Sequence, residues 1–416
     1  MKEHLQGSVW RHRDVRIVVP GRALSLVGDG MLTVVLLLHL HDEGYGALAV
    51  TGLMVVEAAP LVALIGLAGR IADAYDSRWV LVVALTTQAL ACLALAADPA
   101  LPMVYLLVAV LQTAQAVVSP TWSGLTPRLV GQDEVGRLVA LNQGLAQTLV
   151  PVGAAFGGLA YGVAGMRVAV LADVATFAAL AVAAYGVRTR RGGASAADRV
   201  RSDWRDGLRV LRADPVVWPL LLASIPIVGM LMGTNVVEVF LVRDDLGMSA
   251  QWYGLADLVM VAGAVPGAVL AGRIASDGRR VRAVLGGFLG LAVCILICGL
   301  TPWFWLFLIV VFGIGVAAAV MNSCFGALFI LRSPEEFRGR VSSAVNGVLQ
   351  AASITSLVVV GSIGAAVGAR HTFVAAGAVA VVVVLLAAPR VLARVRDDGP
   401  GTTRRPEPLQ PSRGGA

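Results

Sequence analysis

Charged side chains inside long apolar runs are the first candidates for chemistry in this sequence. Asp29 and Glu57 lie near the middle of the first and second runs, and Asp257 lies in the eighth. Arg22 precedes Asp29 by seven residues, a spacing that returns to nearly the same helix face about 10 Å along the axis. A charge at the centre of a bilayer costs about 2.5–3.5 kcal/mol, so such residues usually face a cavity or a partner. We expect these four to line a cavity that handles protons or substrate, with structural hydrogen bonding as the alternative.

Proton exchange is the chemistry that isolated carboxylates in lipid support best, because a low-dielectric medium favours the neutral acid. Glu238 and Asp173 lie nearer to the ends of their runs, and we expect structural roles for them. Uncharged polar residues in the runs either bond between helices or line the cavity; they include Gln112, Gln115, Asn142 and Asn346.

The elements that must position these residues are helices in lipid. The chain has 416 residues, of which 57% are hydrophobic and 14% charged, and its mean hydropathy is +0.80. Only helices cross lipid in runs of this length, because each must satisfy its own backbone. Twelve runs approach the ~20 residues that span a bilayer: 17–40, 46–68, 79–97, 101–123, 137–160, 167–187, 215–241, 250–272, 281–300, 302–331, 341–366 and 371–392.

An internal repeat organises these runs. The six residues from Leu67 to Ala72 recur from Leu270 to Ala275, an offset of 203, and Gly144 matches Gly347 at the same offset. Two homologous halves are therefore predicted. The acidic sites are not duplicated, since Asp29 corresponds to Met232; unshared residues are the better functional candidates.

The repeated stretch resembles a motif of the major facilitator superfamily, whose loop between helices 2 and 3 reads roughly G-x-x-x-D-R-x-G-R-R. Gly69, Asp73 and Arg78 match it, whereas Ala74 and Asp76 depart from it. The resemblance implies an all-α membrane protein with twelve transmembrane helices in two pseudo-symmetric six-helix bundles. It also implies that both copies act as cytoplasmic gate loops, with Asp73 facing the start of helix 11 and Asp277 facing the start of helix 5 near Arg137. The implied gate residues are Gly69, Arg70, Asp73, Arg78, Gly272, Arg273, Asp277, Arg279, Arg280 and Arg340.

Two shorter stretches resemble exporters within that superfamily. Residues Gly153 to Gly158 are similar to the G-P-x-x-G-G element of drug–proton antiporters, without its proline. Gly28-Asp29, with the segment Arg338 to Val341, resembles the bacterial macrolide-efflux and siderophore-export branch. The resemblance implies proton-coupled efflux of an amphipathic small molecule, such as a drug, a macrolide-like or a siderophore-like metabolite, by alternating access. An importer or facilitator of a small metabolite, or a membrane-embedded enzyme, is the alternative.

Several partners and cofactors are not expected. The phosphate-binding motif G-x-x-x-x-G-K-[ST] is absent and the only lysine is Lys2, so ATP hydrolysis is not expected. We expect no cofactor, no metal site, no nucleic-acid partner and a monomer. The four cysteines fall inside apolar runs, where packing is their expected role.

Basic residues predict the topology. Lys and Arg concentrate in alternate loops and in both tails, which places both termini in the cytoplasm of a multi-pass plasma-membrane protein. The predicted organisation is a tail at 1–16, a six-helix bundle at 17–187, a connecting loop at 188–214, a second bundle at 215–392 and a disordered tail at 393–416. Helical spacing from Trp204 to Leu211 predicts an interfacial helix within the connecting loop.

Overall fold

A computed structural model describes residues 9–190, 204–333 and 338–397, and in these ranges every regular element is a helix. A π-turn, Leu241–Asp245, follows α8, and short 3-10 turns lie at Val9–Arg11 and Gln132–Glu134. The helices are α1 (Arg13–Asp42), α2 (Ala47–Ala63), α3 (Ile65–Ala74), α4 (Ser77–Leu95), α5 (Leu101–Leu129), α6 (Val135–Gly186), α7 (Trp204–Ala213), α8 (Val217–Phe240), α9 (Ala250–Gly272), α10 (Asp277–Leu300), α11 (Phe304–Arg332), α12 (Arg338–Val367) and α13 (Ala369–Asp397).

These helices make twelve membrane spans in the described ranges. Ten are long and apolar enough to cross a bilayer singly, and α2 with α3, bent by 54°, adds an eleventh span. Helix α6 has 52 residues, about 78 Å, which is more than twice the ~30 Å hydrocarbon core. Its backbone leaves the helical region at Gly165, so its first arm (135–164) and second arm (166–186) are two spans. The twelve-helix prediction is confirmed.

The predicted repeat is visible in the backbone. Helices α5 and α11 begin and end 203 residues apart, and α2 and α9 begin 203 residues apart. Two turns repeat as well: Gly44 (φ 78°) corresponds to Gly247 (φ 66°), and Gly165 (φ 75°) corresponds to Gly368 (φ 85°). Positive φ favours glycine because it has no Cβ. The two halves therefore share turn geometry as well as helix lengths.

Two predicted boundaries differ in the structure. The motif expected in a loop is largely helical, since α3 runs from Ile65 to Ala74 and leaves only Tyr75 and Asp76 before α4. Helix α13 continues to Asp397, beyond the tail boundary predicted at 393, because the helical pattern persists past the last apolar residues. Residues 1–8, 191–203, 334–337 and 398–416, which include parts of the predicted connector and of both predicted tails, lie outside the described residues.

The halves meet along two seams, where α6 packs on α9 and α12 packs on α2. We call the end where α1 begins and α13 ends the termini face, and the end that carries the turns at Gly44 and Gly165 the opposite face. Near the opposite face, Gly158 contacts the backbone of Ala250 and Gly254. By pseudo-symmetry, Gly361 contacts Thr51 in the second seam. Both seams are closed at this end.

The same seams are open towards the termini face. Gly144 and Gly347 precede Gly158 and Gly361 by 14 residues, which places each within about 40° of the same helix face and about 21 Å along the axis. A Cβ on either would have no heavy atom within 4 Å, and both glycines are exposed. The structure is therefore closed at the opposite face and open at the termini face.

Candidate functional site

A polar stripe on α1 forms the centre of the candidate site. Arg22, Asp29 and Thr33 are spaced by seven and four residues, so they fall within about 20° of one face. The Thr33 hydroxyl donates to Oε1 of Glu57 on α2 at 3.5 Å. Asp29 and Glu57 are neither fully buried nor fully exposed. The structure thus brings together three of the four charged residues predicted from the sequence, and adds Thr33.

The backbone around Asp29 is fixed by its two glycine neighbours. Gly28 lies against the side chains of Asp173 and Thr176 on the second arm of α6, and Gly30 lies against the carbonyl of Val150 on the first arm. A Cβ on either glycine would collide with these atoms. Asp29 is therefore held on a helix wedged tightly between both arms of α6.

Arg22 supplies the positive charge of the site. Its guanidinium lies over the Trp122 ring of α5, 5.6 Å from the centroid, a distance typical of a cation–π contact. Arg22 and Asp29 interact electrostatically, but no ion pair within 4.0 Å joins them in the described structure. Asp29 therefore feels a cation without being locked to it, which suits a carboxyl that must change its protonation state.

A second carboxylate, Asp173 on the second arm of α6, packs against α1 and accepts hydrogen bonds from its neighbours. Asp173 is 0% exposed; it accepts from the Thr176 hydroxyl at 2.8 Å and from the Cys92 thiol at 3.6 Å. These contacts agree with the structural role expected for Asp173. Its charge also acts on Asp29, so Asp29 interacts with both a carboxylate and a guanidinium.

The C-terminal half has an acidic pair of its own. Asp257 on α9 is joined by Glu238 of α8, close enough for their charges to interact, and both interact with Tyr253. Tyr253 is 7% exposed, and it precedes Asp257 by one helical turn. Sequence reasoning assigned Glu238 a structural role and missed this pairing. The repeat could have indicated a functional role, because the residue that corresponds to Glu238 in the first half is the buried Val35, so the acid is not shared.

The uncharged polar candidates separate into two groups. Gln115 accepts a hydrogen bond from the Gln88 side chain of α4 at 3.2 Å, and Gln88 also donates to a carbonyl of α5. Gln115 therefore takes part in a hydrogen bond between helices, which was the alternative to cavity lining. Gln112 and Asn142 are half-buried and Asn346 is exposed. Within the described residues these three make no hydrogen bond through their side chains, and they stay candidates for cavity lining.

The predicted gate residues of the first copy lie at the termini face. Gly69, Arg70 and Asp73 are in α3. Arg78, in the first turn of α4, donates to the carbonyl of Val187 and lies over the Tyr185 ring at 5.4 Å. Arg78 therefore ties α4 to the end of α6 within its own half.

The described contacts of the second copy lie within its own half. Asp277 begins α10; its carboxylate lies 2.9 Å from Arg280 and 3.8 Å from Arg332 of α11. Gly272 and Arg273 end α9, and Arg279 is exposed beside Ser276. Arg340 lies in the first turn of α12, and its side chain is outside the described structure. In this open state of the termini face, the contacts of Asp277 are not those predicted for a gate closed there.

The chain matches a known protein family over most of its length. A family model described as Major Facilitator Superfamily matches residues 18–242 and 227–413. The chain belongs to the major facilitator superfamily. Its membership shows that the protein is a multi-pass membrane transporter, as the motif resemblance implied.

Individual relatives of this transporter are distant. Macrolide efflux protein A of Streptococcus pyogenes is 21% identical over 382 residues, which cover 88% of this chain and 93% of the relative. A protein of the same name from Enterococcus faecalis is 21% identical over 298 residues, covering 68% and 91%. A mutant form of the nucleoside transporter NupG superposes with a TM-score of 0.71 at 12% identity, covering 90% of this chain and 99% of that one. A bacterial homologue of the lysosomal transporter Spinster, solved inward-facing and unoccupied, gives a TM-score of 0.67 at 12% identity, covering 92% and 96%. At these identities, the solved structures establish the fold alone.

Proposed function

We propose that this transporter exports an amphipathic small molecule from a bacterial cell in exchange for protons, by alternating access. The observation that carries the proposal is the pair of partly exposed carboxylates, Asp29 and Glu57, on one polar surface between α1 and α2. The curated relatives named as macrolide efflux proteins support the direction of transport.

Proton exchange at these two residues follows from their surroundings. A carboxylate in a low-dielectric site is easily neutralised by a proton, and Arg22 near Asp29 offsets the charge when the proton leaves. Glu57 adds a mechanical link, because α2 holds Glu57 against Thr33 and also contacts α12 through Thr51 and Gly361. Protonation of Glu57 therefore alters the contact of α2 with α1. Glu57 lies six residues along α2 from Thr51, which belongs to the seam with α12 that must open.

The orientation follows from the distribution of basic residues. Lys and Arg cluster in the loops and tails of the termini face, which assigns that face to the cytoplasm. The open termini face then makes this structure an inward-open state, ready to receive a compound from the cell. One chain carries both halves of the transport pathway, which agrees with a monomer.

The test is transport by the purified protein in proteoliposomes, with a panel of hydrophobic compounds and an imposed pH gradient. Wild-type protein should accumulate a substrate against its gradient only when the pH gradient is present. Asp29→Asn and Glu57→Gln should lose gradient-driven accumulation while retaining counterflow, the exchange of labelled for unlabelled compound, because counterflow needs binding and rocking but no net proton movement.

Asp133→Asn is the matched control, because this acid is exposed outside the bundle; it should behave as wild type. If Asp29→Asn and Glu57→Gln both keep gradient-driven accumulation, these carboxylates are not the coupling sites. If the wild-type protein moves compounds equally with and without the gradient, the protein is a facilitator.

A further inference from the structure

Two arginines flank the start of α8 at the termini face. The guanidinium of Arg212, at the end of α7, lies over the Trp218 ring, 5.2 Å from the centroid. The guanidinium of Arg394, near the end of α13, donates to the carbonyl of Pro215 at 3.1 Å. Pro215 and Trp218 are three residues apart, so the two guanidiniums are anchored to points about one helical turn from each other.

The two guanidiniums carry positive charge that no acidic side chain of the described residues neutralises within 4.0 Å. The nearby carboxylate of Asp214 is engaged elsewhere, because it accepts from two backbone N–H groups at the start of α8 and lies 3.1 Å from Arg332. Arg212 and Arg394 are both exposed. A guanidinium presents a planar fork of N–H donors that fits phosphate oxygens. Two such groups held in place therefore offer a fixed site for a phosphate.

The surface beside these arginines becomes apolar within one to two helical turns. On α8, Leu222 lies one turn beyond Trp218 and is 48% exposed. On α13, Arg390 and Arg394 are exposed, and Leu386, one turn before Arg390, is 58% exposed. Helices α8 and α13 pack against each other, so these apolar side chains belong to one lipid-facing surface. A basic end followed by an apolar surface matches the charged headgroup and the acyl chain of a phospholipid.

We propose that the termini-face ends of α7, α8 and α13 bind an anionic phospholipid from the adjoining leaflet. Its phosphate lies between Arg212 and Arg394, and an acyl chain lies against Leu222 and Leu386. Helix α7 belongs to the segment that connects the two halves, and it packs on α12 and α8. The bound lipid therefore joins the end of the connecting segment to the second bundle. This site is independent of the direction and the energy source of transport.

The internal repeat shows that this site is specific to the second half. At the offset of 203, Arg212 corresponds to Val9 and Trp218 corresponds to Val15, and both valines are buried. The first half instead has Arg16 at the depth of Pro219, and Arg16 is exposed. Any exposed arginine at this face attracts anionic lipid by its charge. The proposed site differs because two anchored guanidiniums bind the same phosphate.

The experiment follows thermal unfolding of the purified full-length protein in detergent by its tryptophan fluorescence, with lipid added. Phosphatidylglycerol and phosphatidylcholine with identical acyl chains differ in headgroup charge, and glycerol 3-phosphate supplies the phosphate without the chains. A ligand that binds only the folded protein raises the midpoint temperature as its concentration exceeds its Kd. Phosphatidylglycerol should stabilise at a concentration about tenfold lower than phosphatidylcholine does, because it makes charge-assisted hydrogen bonds. Glycerol 3-phosphate at the same concentration should leave the midpoint unchanged.

Three variants locate the lipid. Arg212→Gln and Arg394→Gln should each raise the phosphatidylglycerol concentration needed for stabilisation by roughly tenfold, without changing the response to phosphatidylcholine. Arg16→Gln is the matched control and should respond as the wild-type protein does. Equal stabilisation of the wild-type protein by both lipids, an unchanged response in Arg212→Gln and Arg394→Gln, or an equal loss in Arg16→Gln overturns the proposal. Stabilisation by glycerol 3-phosphate that equals that by phosphatidylglycerol overturns the assignment of a lipid in favour of a free phosphate.

Discussion

A tight backbone contact between the halves gives the most quantitative prediction, which is that Gly158→Ala shifts the transporter towards the state open at the opposite face. The new Cβ would lie 2.8 Å from the carbonyl oxygen of Ala250, 3.0 Å from the nitrogen of Gly254 and 3.2 Å from its Cα. These are backbone atoms, which cannot rotate away, so α9 must retreat by several tenths of an ångström. Overpacking of this kind costs about 1–3 kcal/mol.

That cost applies only while the seam is closed. The ratio of closed to open molecules should therefore fall by roughly 5- to 150-fold. Gly144→Ala is the matched control, because it lies on the same face of the same helix and its Cβ meets no heavy atom within 4 Å. Both variants gain similar helix propensity, about 1 kcal/mol, so that gain cancels in the comparison.

The assay is the distance between spin labels introduced as non-canonical amino acids at Ala97 and Pro302, both exposed, in full-length protein in nanodiscs, with efflux turnover recorded in parallel. Gly158→Ala should show a larger population of long distances and slower transport than Gly144→Ala. Identical distance distributions in the two variants would refute the reasoning, because the seam would then tolerate a methyl group or would not be closed in the resting protein.

Further predictions concern the gate, the topology and the second acidic pair. Asp73→Asn should shift the equilibrium towards the state open at the termini face, by roughly 5- to 150-fold for a contact worth about 1–3 kcal/mol. Spin labels at the termini-face ends of the two halves should report this shift. An unchanged distance distribution would mean that the motif only marks the topology. Cysteines introduced at Ser195 and Ala100 should react with impermeant reagents from opposite sides of the membrane, and labelling of both from outside would contradict the orientation. Glu238→Gln should weaken counterflow of cationic compounds more than of neutral ones, because the Glu238–Asp257 pair offers negative charge; equal weakening would indicate a packing role.

The sequence by itself determined the frame of this protein. The apolar runs in the sequence predict the twelve spans, because only helices of sufficient apolar length can cross a lipid bilayer. The 203-residue offset predicted two halves, and the motif at Gly69 and Asp73 resembled the family to which the chain belongs. Each of these signals is local or periodic along the chain, so none requires knowledge of which helices touch. The acidic residues were found in the same way, because a charge in an apolar run stands out wherever the run lies.

Only the tertiary structure decided which polar residues meet. Gln115 proved to be bonded to Gln88, and Glu238 joined Asp257, because both pairings depend on the rotation of neighbouring helices about their axes. The sequence also did not show that the motif lies largely in helix α3 rather than in a loop, because the apolar spacing of the motif is compatible with either.

The closure of one face was hidden for a related reason. Gly144 and Gly158 look alike in the sequence, and only the angle between the two halves makes one of them a tight contact and leaves the other open. His41 and Asp244, which are corresponding positions of the repeat, meet between the two halves at 2.8 Å. Asp244 lies in the π-turn after α8, a backbone feature for which the sequence gave no signal. Contacts between halves depend on rigid-body placement, which composition and spacing along the chain do not encode.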